Sequence, residues 1–397
     1  MHLCLRPGTD GALACAVMHV LFRDGKADWD YMNRYADAPR ELEAHLKCRS
    51  PEWAAAITGL SVDEIEAFAK LIGETDRTYF RLGFGFTRSR NGPVNMHAAL
   101  SIATVRGSWQ YEGGGAFKNN EGIYPWDKTL IEGLDVKDTG VRMLDQSRIG
   151  AILSGDRQDL GDDPPVTALL IQNTNPMMVA PDLNKVHAGF ARDDLFTCVH
   201  EQLLTDTAKM ADIVLPATAF LEHSDLYQGG GHPHIQLGAK IVEPPGEARD
   251  NHFVICEIAK RVGAEHPGFD MTGEEILAET LSASGLPDPD SLRAMRWLDY
   301  RPKYEDAHYA NGFAHKDGKF HFRPNWPAFA PTAWTTAGCA HGQADASGMP
   351  EFPDHWAVTE EATAAHPFRL ITAPARNYLN SSFTETPTSR EREVRPS

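Results

Sequence analysis

The sequence contains no closely spaced cysteine pair: its six cysteines, Cys4, Cys15, Cys48, Cys198, Cys256 and Cys339, are scattered along 397 residues. Thiolate-held zinc and iron–sulfur clusters need neighbouring cysteines, so the chain is expected to bind neither through cysteine. Isolated thiols in apolar runs, such as Cys198 and Cys256, read as reduced core residues and point to a cytoplasmic protein. No basic segment followed by an apolar one opens the chain, so no signal peptide is visible. No apolar run approaches the roughly 18 residues of a membrane span. Positive charge is also scarce. Lysine and arginine number 38 against 55 aspartates and glutamates, a formal net charge of -17. Nucleic acid and anionic membranes recruit clustered cations, so neither is an expected partner. No G-x-G-x-x-G links a strand to a helix, which disfavours an enzyme built on another dinucleotide. Internal repeats are absent too.

What is present is a length sufficient for two or three domains and an ordinary globular composition. Residues 3–5 read as the end of a strand, followed by Arg6-Pro7-Gly8-Thr9-Asp10 and a helix over about 11–22, with Thr9 or Asp10 as N-cap. A strand beginning at residue 3 would be an orphan edge, so the chain is expected to be cut at its front. Ser61 and Glu64 form a capping box opening a helix that closes at Gly73. A strand over 78–84 leads into the glycine-punctuated loop GFGFTRSRNG, and an apolar helix follows over 94–105. Residues 166–172 form a near-continuous apolar run, expected to be a strand buried on both faces. After it come Asn173-Thr174-Asn175-Pro176 and a helix near 182–191. The run 195–199 then ends in His200 and Glu201, Thr205-Asp206-Thr207 makes a one-turn helical piece, and the run 213–215 is stopped by Pro216.

This alternation predicts an α/β protein with doubly wound, Rossmann-like and mostly parallel sheets, truncated at both ends. The expected domains are 1–78, the later part of a first dinucleotide-binding domain, and 79–300, a second cofactor-binding domain. Residues 301–366, rich in Pro, Gly, Trp and His, read as a wrapping segment or linker. A last domain is expected to begin at 367–397 with a strand over 368–372.

Polar residues massed at the carboxyl ends of buried strands are what an open α/β sheet uses to hold a nucleotide-like ligand. Helix starts at Arg6–Asp10 and at Thr205–Thr207 supply free N–H groups that favour anions. A capped helix start alone is commonplace. Two of them after strands suggest a dinucleotide. Asp10, Glu201, Asp206 and Asp250 add carboxylates able to accept the paired donors of guanine's Watson–Crick edge.

Six ordered segments carry a more specific resemblance. They are Arg6–Asp10 with Ala12-Leu13; Gly83-Phe84-Gly85-Phe86-Thr87-Arg88 with Asn91-Gly92; Asn173 to Pro176; Glu201 to Pro216 with Glu222; Pro244 to Arg249; and Leu379 to Phe383. Together they resemble the molybdopterin oxidoreductases over nearly the whole chain. The resemblance implies a bis-molybdopterin guanine dinucleotide cofactor carrying molybdenum or tungsten. It would be bound through Gly8, Thr9, Asp10, Gly85, Thr87, Arg88, Asn173, Asn175, Pro176, His200, Glu201, Thr205, Asp206, Thr207, His223, Asp250, Asn380 and Ser381. It further implies a small substrate and an electron-transfer partner protein or subunit. A four-iron cluster and the protein's metal ligand would lie upstream of Arg6, so these 397 residues are expected to be inactive alone. His97 stands five residues after Gly92, where formate-dehydrogenase-like relatives carry an arginine facing the metal. It reads either as a proton-handling catalytic residue or as a core histidine. His223, His232 and His234 read as a ligand-facing loop rather than a zinc site. The competing function is a non-catalytic scaffold, as in the large peripheral subunit of respiratory complex I.

Overall fold

The computed structural model describes residues 1–307, 309–326, 348–358, 361–372 and 375–393, without the side chain of Phe86; Cys339 lies outside these. The chain forms two compact units. One comprises Met1–Asn120, Arg301–Pro331 and Gly342–Arg369; the other comprises Glu121–Tyr300, Thr332–His341 and Leu370–Ser397. The division therefore falls after Asn120, not between residues 78 and 79, because the helix Gly92–Val105 packs along Asp10–Arg23.

In the first unit Asp10–Arg23 is the central helix. It is apolar nearly all round, and Ala12, Cys15, Ala16, Val17 and Met18 are fully buried. A helix of that kind must be surrounded, and Pro51–Thr58, Val62–Gly73 and Gly92–Val105 surround it. The Ser61–Glu64 capping box forms in both directions, with Glu64 N donating to Ser61 Oγ at 3.2 Å and Ser61 N to Glu64 Oε2 at 2.9 Å. Two short strands, β1 (Tyr79–Arg81) and β2 (Gly115–Phe117), pair in parallel. Residues 3–5 form no strand; Arg6 N bonds the carbonyl of Thr58, at the end of a helix instead. Phe320 bridges to Ala36, and Phe322 is fully buried in the same core.

The second unit is built on three parallel strands, β3 (Ala168–Gln172), β4 (Phe196–Glu201) and β5 (Ile213–Pro216), in that order. One face carries Ile171 and Val199 into a core with Leu153, Val186 and Phe190. The other is open. Leu170, Phe196 and Ile213 are 47%, 48% and 45% exposed, so β3 is not buried on both faces as its apolar run suggested. Register explains this: Leu170, Cys198 and Ile213 align across the sheet on the side away from that core. A second, antiparallel sheet follows: β6 (Asp225–Gln228), β7 (His234–Gly238) and β8 (Leu298–Asp299). It encloses Ile235 and Leu237 with Leu281 and Leu292. Over 368–372 no strand forms, and Phe368 and Leu370 are 91% and 85% exposed. Among the described residues no helix is long and apolar enough to cross a membrane.

Candidate functional site

The strands β3, β4 and β5 end side by side at Gln172, Glu201 and Pro216. Beyond the carboxyl ends of parallel strands the departing loops leave a crevice, the usual ligand position in open α/β sheets. Here it is a cleft of about 1350 Å³, lined by residues that include Asn173, Asn175, Glu201, Thr205, His223, Asp250 and Ser381. Two full-length helices, Asn251–Val262 and Gly273–Ala283, begin at its wall. Asp250 caps the first by accepting from Phe253 N at 2.8 Å, and Thr272 caps the second in a capping box with Glu275. The positive ends of both helix dipoles face the cleft, with their first turns already capped by Asp250 and by the Thr272–Glu275 box.

A buried staple holds the first two loops. Asn175 Oδ1 accepts from Thr207 Oγ1 at 2.7 Å and Thr207 N at 3.3 Å, and Thr207 Oγ1 accepts from Met177 N at 3.1 Å. Asn173 reaches this turn in the left-handed region, φ 56°, and Pro176 starts the next helical turn. Thr205 Oγ1 is occupied as a cap on Ala208 N. Asn175, Thr205 and Thr207 thus shape the cleft more than they line it with free groups. Glu201 and Asp250 differ. Each uses one carboxylate oxygen on a backbone N–H, Gln202 N at 2.7 Å and Phe253 N, and the second oxygen has no protein donor among the described residues. His223 accepts or donates at Thr218 Oγ1, 2.8 Å away, and stays on the cleft wall.

Five expected ligand residues on this unit do not line the cleft: Pro176 and Thr207 belong to the turn and staple just described, and His200, Asp206 and Asn380 lie elsewhere. His200 is fully buried; its Nε2 donates to the Arg249 carbonyl at 3.0 Å and its Nδ1 accepts from Gln172 Nε2 at 3.1 Å. Both ring nitrogens are spent on protein, so His200 positions the 249 loop. Asp206 faces outward in an ion pair with Lys209 at 3.1 Å. Asn380 takes a left-handed turn, φ 53°, beside the cleft-lining Ser381 and Ser382 without lining it itself. Arg249, which ends the matching segment Pro244 to Arg249 but was not singled out as a ligand, lines the cleft, held by backbone bonds to Pro216 and Thr218. Its signal was the only arginine in a turn that directly precedes the Asp250 cap. The rings of His232 and His234 lie 5.1 Å apart, tilted by 32°, and no metal-capable cluster of His, Cys, Asp and Glu occurs among the described residues.

In the first unit the Arg6–Asp10 segment is occupied by its own neighbours. Arg6 donates to the carbonyls of Ala56 and Ile57 at 3.1 and 3.2 Å, closing a helix end rather than holding an anion. Thr9 Oγ1 bonds Arg6 O at 2.6 Å, and Gly11 N donates to Asn95 Oδ1 at 3.0 Å. Asn91 Nδ2 donates to Gly8 O and Trp356 O, both at 2.7 Å. Gly8 sits at φ +78°, and a Cβ there would stand 2.6 Å from Val358. Burial pushes the Asp10 carboxyl up, against a smaller lowering by a backbone hydrogen bond. The anion site expected at this helix start is therefore filled by protein groups. Gly85 and Thr87 form a short 3₁₀ turn, with Thr87 Oγ1 donating to Phe84 O at 3.0 Å, and Arg88 lies over the Phe84 ring.

His97 is half-buried among aromatic rings of the first unit. Its Nε2 donates to the carbonyl of His321 at 2.9 Å, and its ring stacks on Phe320 and meets the edge of Trp326. Burial lowers its pKa to about 4, outweighing the raising effect of the hydrogen bond to His321, so the ring is neutral near pH 7. Of the two readings of His97, these contacts support the packed histidine.

Residues 1–261 match the family described as Molybdopterin oxidoreductase. The chain is 33% identical over 381 residues to "Probable oxidoreductase YoaE" of Bacillus subtilis, covering 96% of this chain and 53% of that protein. It is 29% identical over 315 residues to a protein named "Nitrate reductase" of Symbiobacterium thermophilum, covering 71% and 41%. The chain spans about half the length of the curated relatives it matches. The fold is similar to that of acetylene hydratase from Pelobacter acetylenicus, with TM-score 0.64 and 19% identity over 83% of this chain and 50% of that one.

Proposed function

Since this chain belongs to the molybdopterin oxidoreductase family, we propose that its cleft at β3–β5 holds a guanine-dinucleotide end of a bis-molybdopterin guanine dinucleotide carrying molybdenum or tungsten. The protein of which this cleft is part would carry out two-electron redox chemistry on a small substrate, exchanging electrons with a partner protein or subunit. The observation that carries the reading is the pairing, in one cleft, of singly committed carboxylates with anion-favouring helix starts. Guanine offers two parallel donors that a carboxylate accepts, and phosphates suit a helix start beside an arginine. The residues present fit the group.

When bound, such a cofactor supplies the metal-centred redox chemistry itself. The chain supplies position and charge. Glu201 and Asp250 accept hydrogen bonds from the base, Arg249 neutralises phosphate charge, and the Asn175–Thr207 staple keeps the first two loops at a fixed spacing. His200 fixes the Arg249 backbone from behind the sheet. His223 and Ser381 contribute polar wall. The test is a calorimetric titration with GDP and ADP. Glu201→Gln and Asp250→Asn each keep the oxygen that caps a backbone N–H, since asparagine serves as well as aspartate at an N-cap. Each turns the second oxygen into a donor facing guanine's donors. The reading predicts a preference for GDP of about tenfold, corresponding to about 1.4 kcal/mol, erased by at least one of the two variants. Equal affinity for the two nucleotides, unchanged in both variants, would remove the base-recognition role.

A further inference from the structure

Parallel sheets occur almost only with both faces covered, because each face carries apolar side chains. The β3–β5 sheet meets that condition on one face. Its other face divides into two parts. At the carboxyl ends of the strands, His200 is fully buried beneath the 249 loop, to which its Nε2 donates. Further back the face is bare. Ala168 stands opposite Phe196, and Leu170, Cys198 and Ile213 align across the three strands. Leu170, Phe196 and Ile213 are each about half exposed, and Ala168 is exposed. None of these five residues carries a charge, in a chain whose formal net charge is -17. None of them lines the cleft.

The size of the patch says what kind of cover it takes. Its outer strands lie roughly 10 Å apart, and its two rows about 7 Å apart along the strands. One helix, about 10–12 Å across with its side chains, spans such a patch. Stable association of separate chains buries about 800 Å² per partner, several times more. The patch therefore suits a segment of the same protein better than a second copy of the chain. The relatives have length to supply it: about half of the Bacillus subtilis protein, and more than half of the Symbiobacterium thermophilum one, lie outside the match. We infer that the bare face of the β3–β5 sheet seats an apolar helix contributed by a part of the protein outside these 397 residues. The inference does not rest on the nucleotide reading of the cleft.

Cys198 lies in the middle of the patch and reports its cover. Maleimide labelling, resolved by peptide mass spectrometry, is compared between the 397-residue chain and the full-length protein. Both are labelled at one mildly alkaline pH, because burial pushes this thiol up. Expected is ready labelling of Cys198 in the chain and labelling slower by about tenfold or more in the full-length protein. Leu170→Lys should hardly move the melting temperature of the chain, where the side chain already meets water. In the full-length protein it should lower the melting temperature and restore Cys198 labelling. Val199→Cys, on the covered face of the same strand, should stay protected in both proteins, which guards against a sheet that has come apart. Glu201→Gln should leave Cys198 labelling as it is, so failure of the nucleotide reading does not mimic failure here. Equal labelling of Cys198 in the two proteins overturns the inference. So does protection in the 397-residue chain that grows with its concentration alongside a dimer in sedimentation, which assigns the face to a second copy.

Discussion

Replacing His97 by glutamine should remove a pH dependence from the stability of this chain. The folded ring titrates at about 4 because burial beneath Phe320 and Trp326 outweighs the hydrogen bond to His321 O. In the unfolded chain it titrates near the ordinary 6.5. Between these values the unfolded state binds the proton and the folded state does not, so stability is complete above about pH 6.5 and declines as pH falls toward 4. Each pH unit in that window costs about 1.4 kcal/mol, and the whole window about 3 kcal/mol. The nearby His321 ring is held by Asp317 at 3.0 Å and remains in the variant. Its contribution therefore cancels when the two proteins are compared. Urea unfolding of wild type and His97→Gln at pH 4.5, 5.5, 6.5 and 7.5 measures the difference. The gap should close as pH falls, by most of that 3 kcal/mol. Parallel curves would mean that His97 is not buried neutral, and the core assignment would fail.

Two further substitutions probe the parts that frame the cleft and the first unit. Asn175→Ala strands the buried Thr207 hydroxyl and N–H and should cost about 1–3 kcal/mol; Thr207→Val added to it should cost less than the sum of the two, as a double-mutant cycle by urea unfolding would show. Asp354 is raised by burial, but hydrogen bonds from His45, Arg49 and the His355 backbone outweigh that and hold it at about 2. A depressed carboxylate stabilises the fold above its ordinary value of 3.8 and loses that as pH falls toward 2. Asp354→Asn should therefore cost about 2 kcal/mol at pH 7 and much less at pH 2.5, measured by urea unfolding at the two pH values.

Local pattern carried much of the architecture. The helices at 10–23 and 62–73 were legible because apolar spacing and the Ser61–Glu64 box are short-range signals. The parallel strands were legible as apolar runs broken by turn residues, and Glu201 and Asp250 stand where such runs and helix starts meet. The antiparallel β6–β8 sheet was not legible, since its strands are short, β6 and β7 flank the polar, glycine-rich turn at 229–233, and β8 is distant in sequence. His97, His200 and Arg6 are committed to protein partners that the sequence does not signal, because those partners are distant along the chain. His97 bonds a carbonyl 224 residues away, His200 one 49 away, and Arg6 carbonyls 50 and 51 away. Nothing in the neighbouring residues reveals that such a side chain is already satisfied. Likewise, the open face of β3 shows in the register of three strands, not in its own apolar run.

The most direct test of the account is the content of the protein itself. The full-length protein of which this cleft is part, purified anaerobically from cells supplied with molybdate and tungstate, should be analysed for both metals and, after acid treatment, for released nucleotide. The account predicts molybdenum or tungsten together with guanine nucleotide, in a fixed ratio to each other. Well-folded protein containing neither metal and releasing no guanine nucleotide would contradict it.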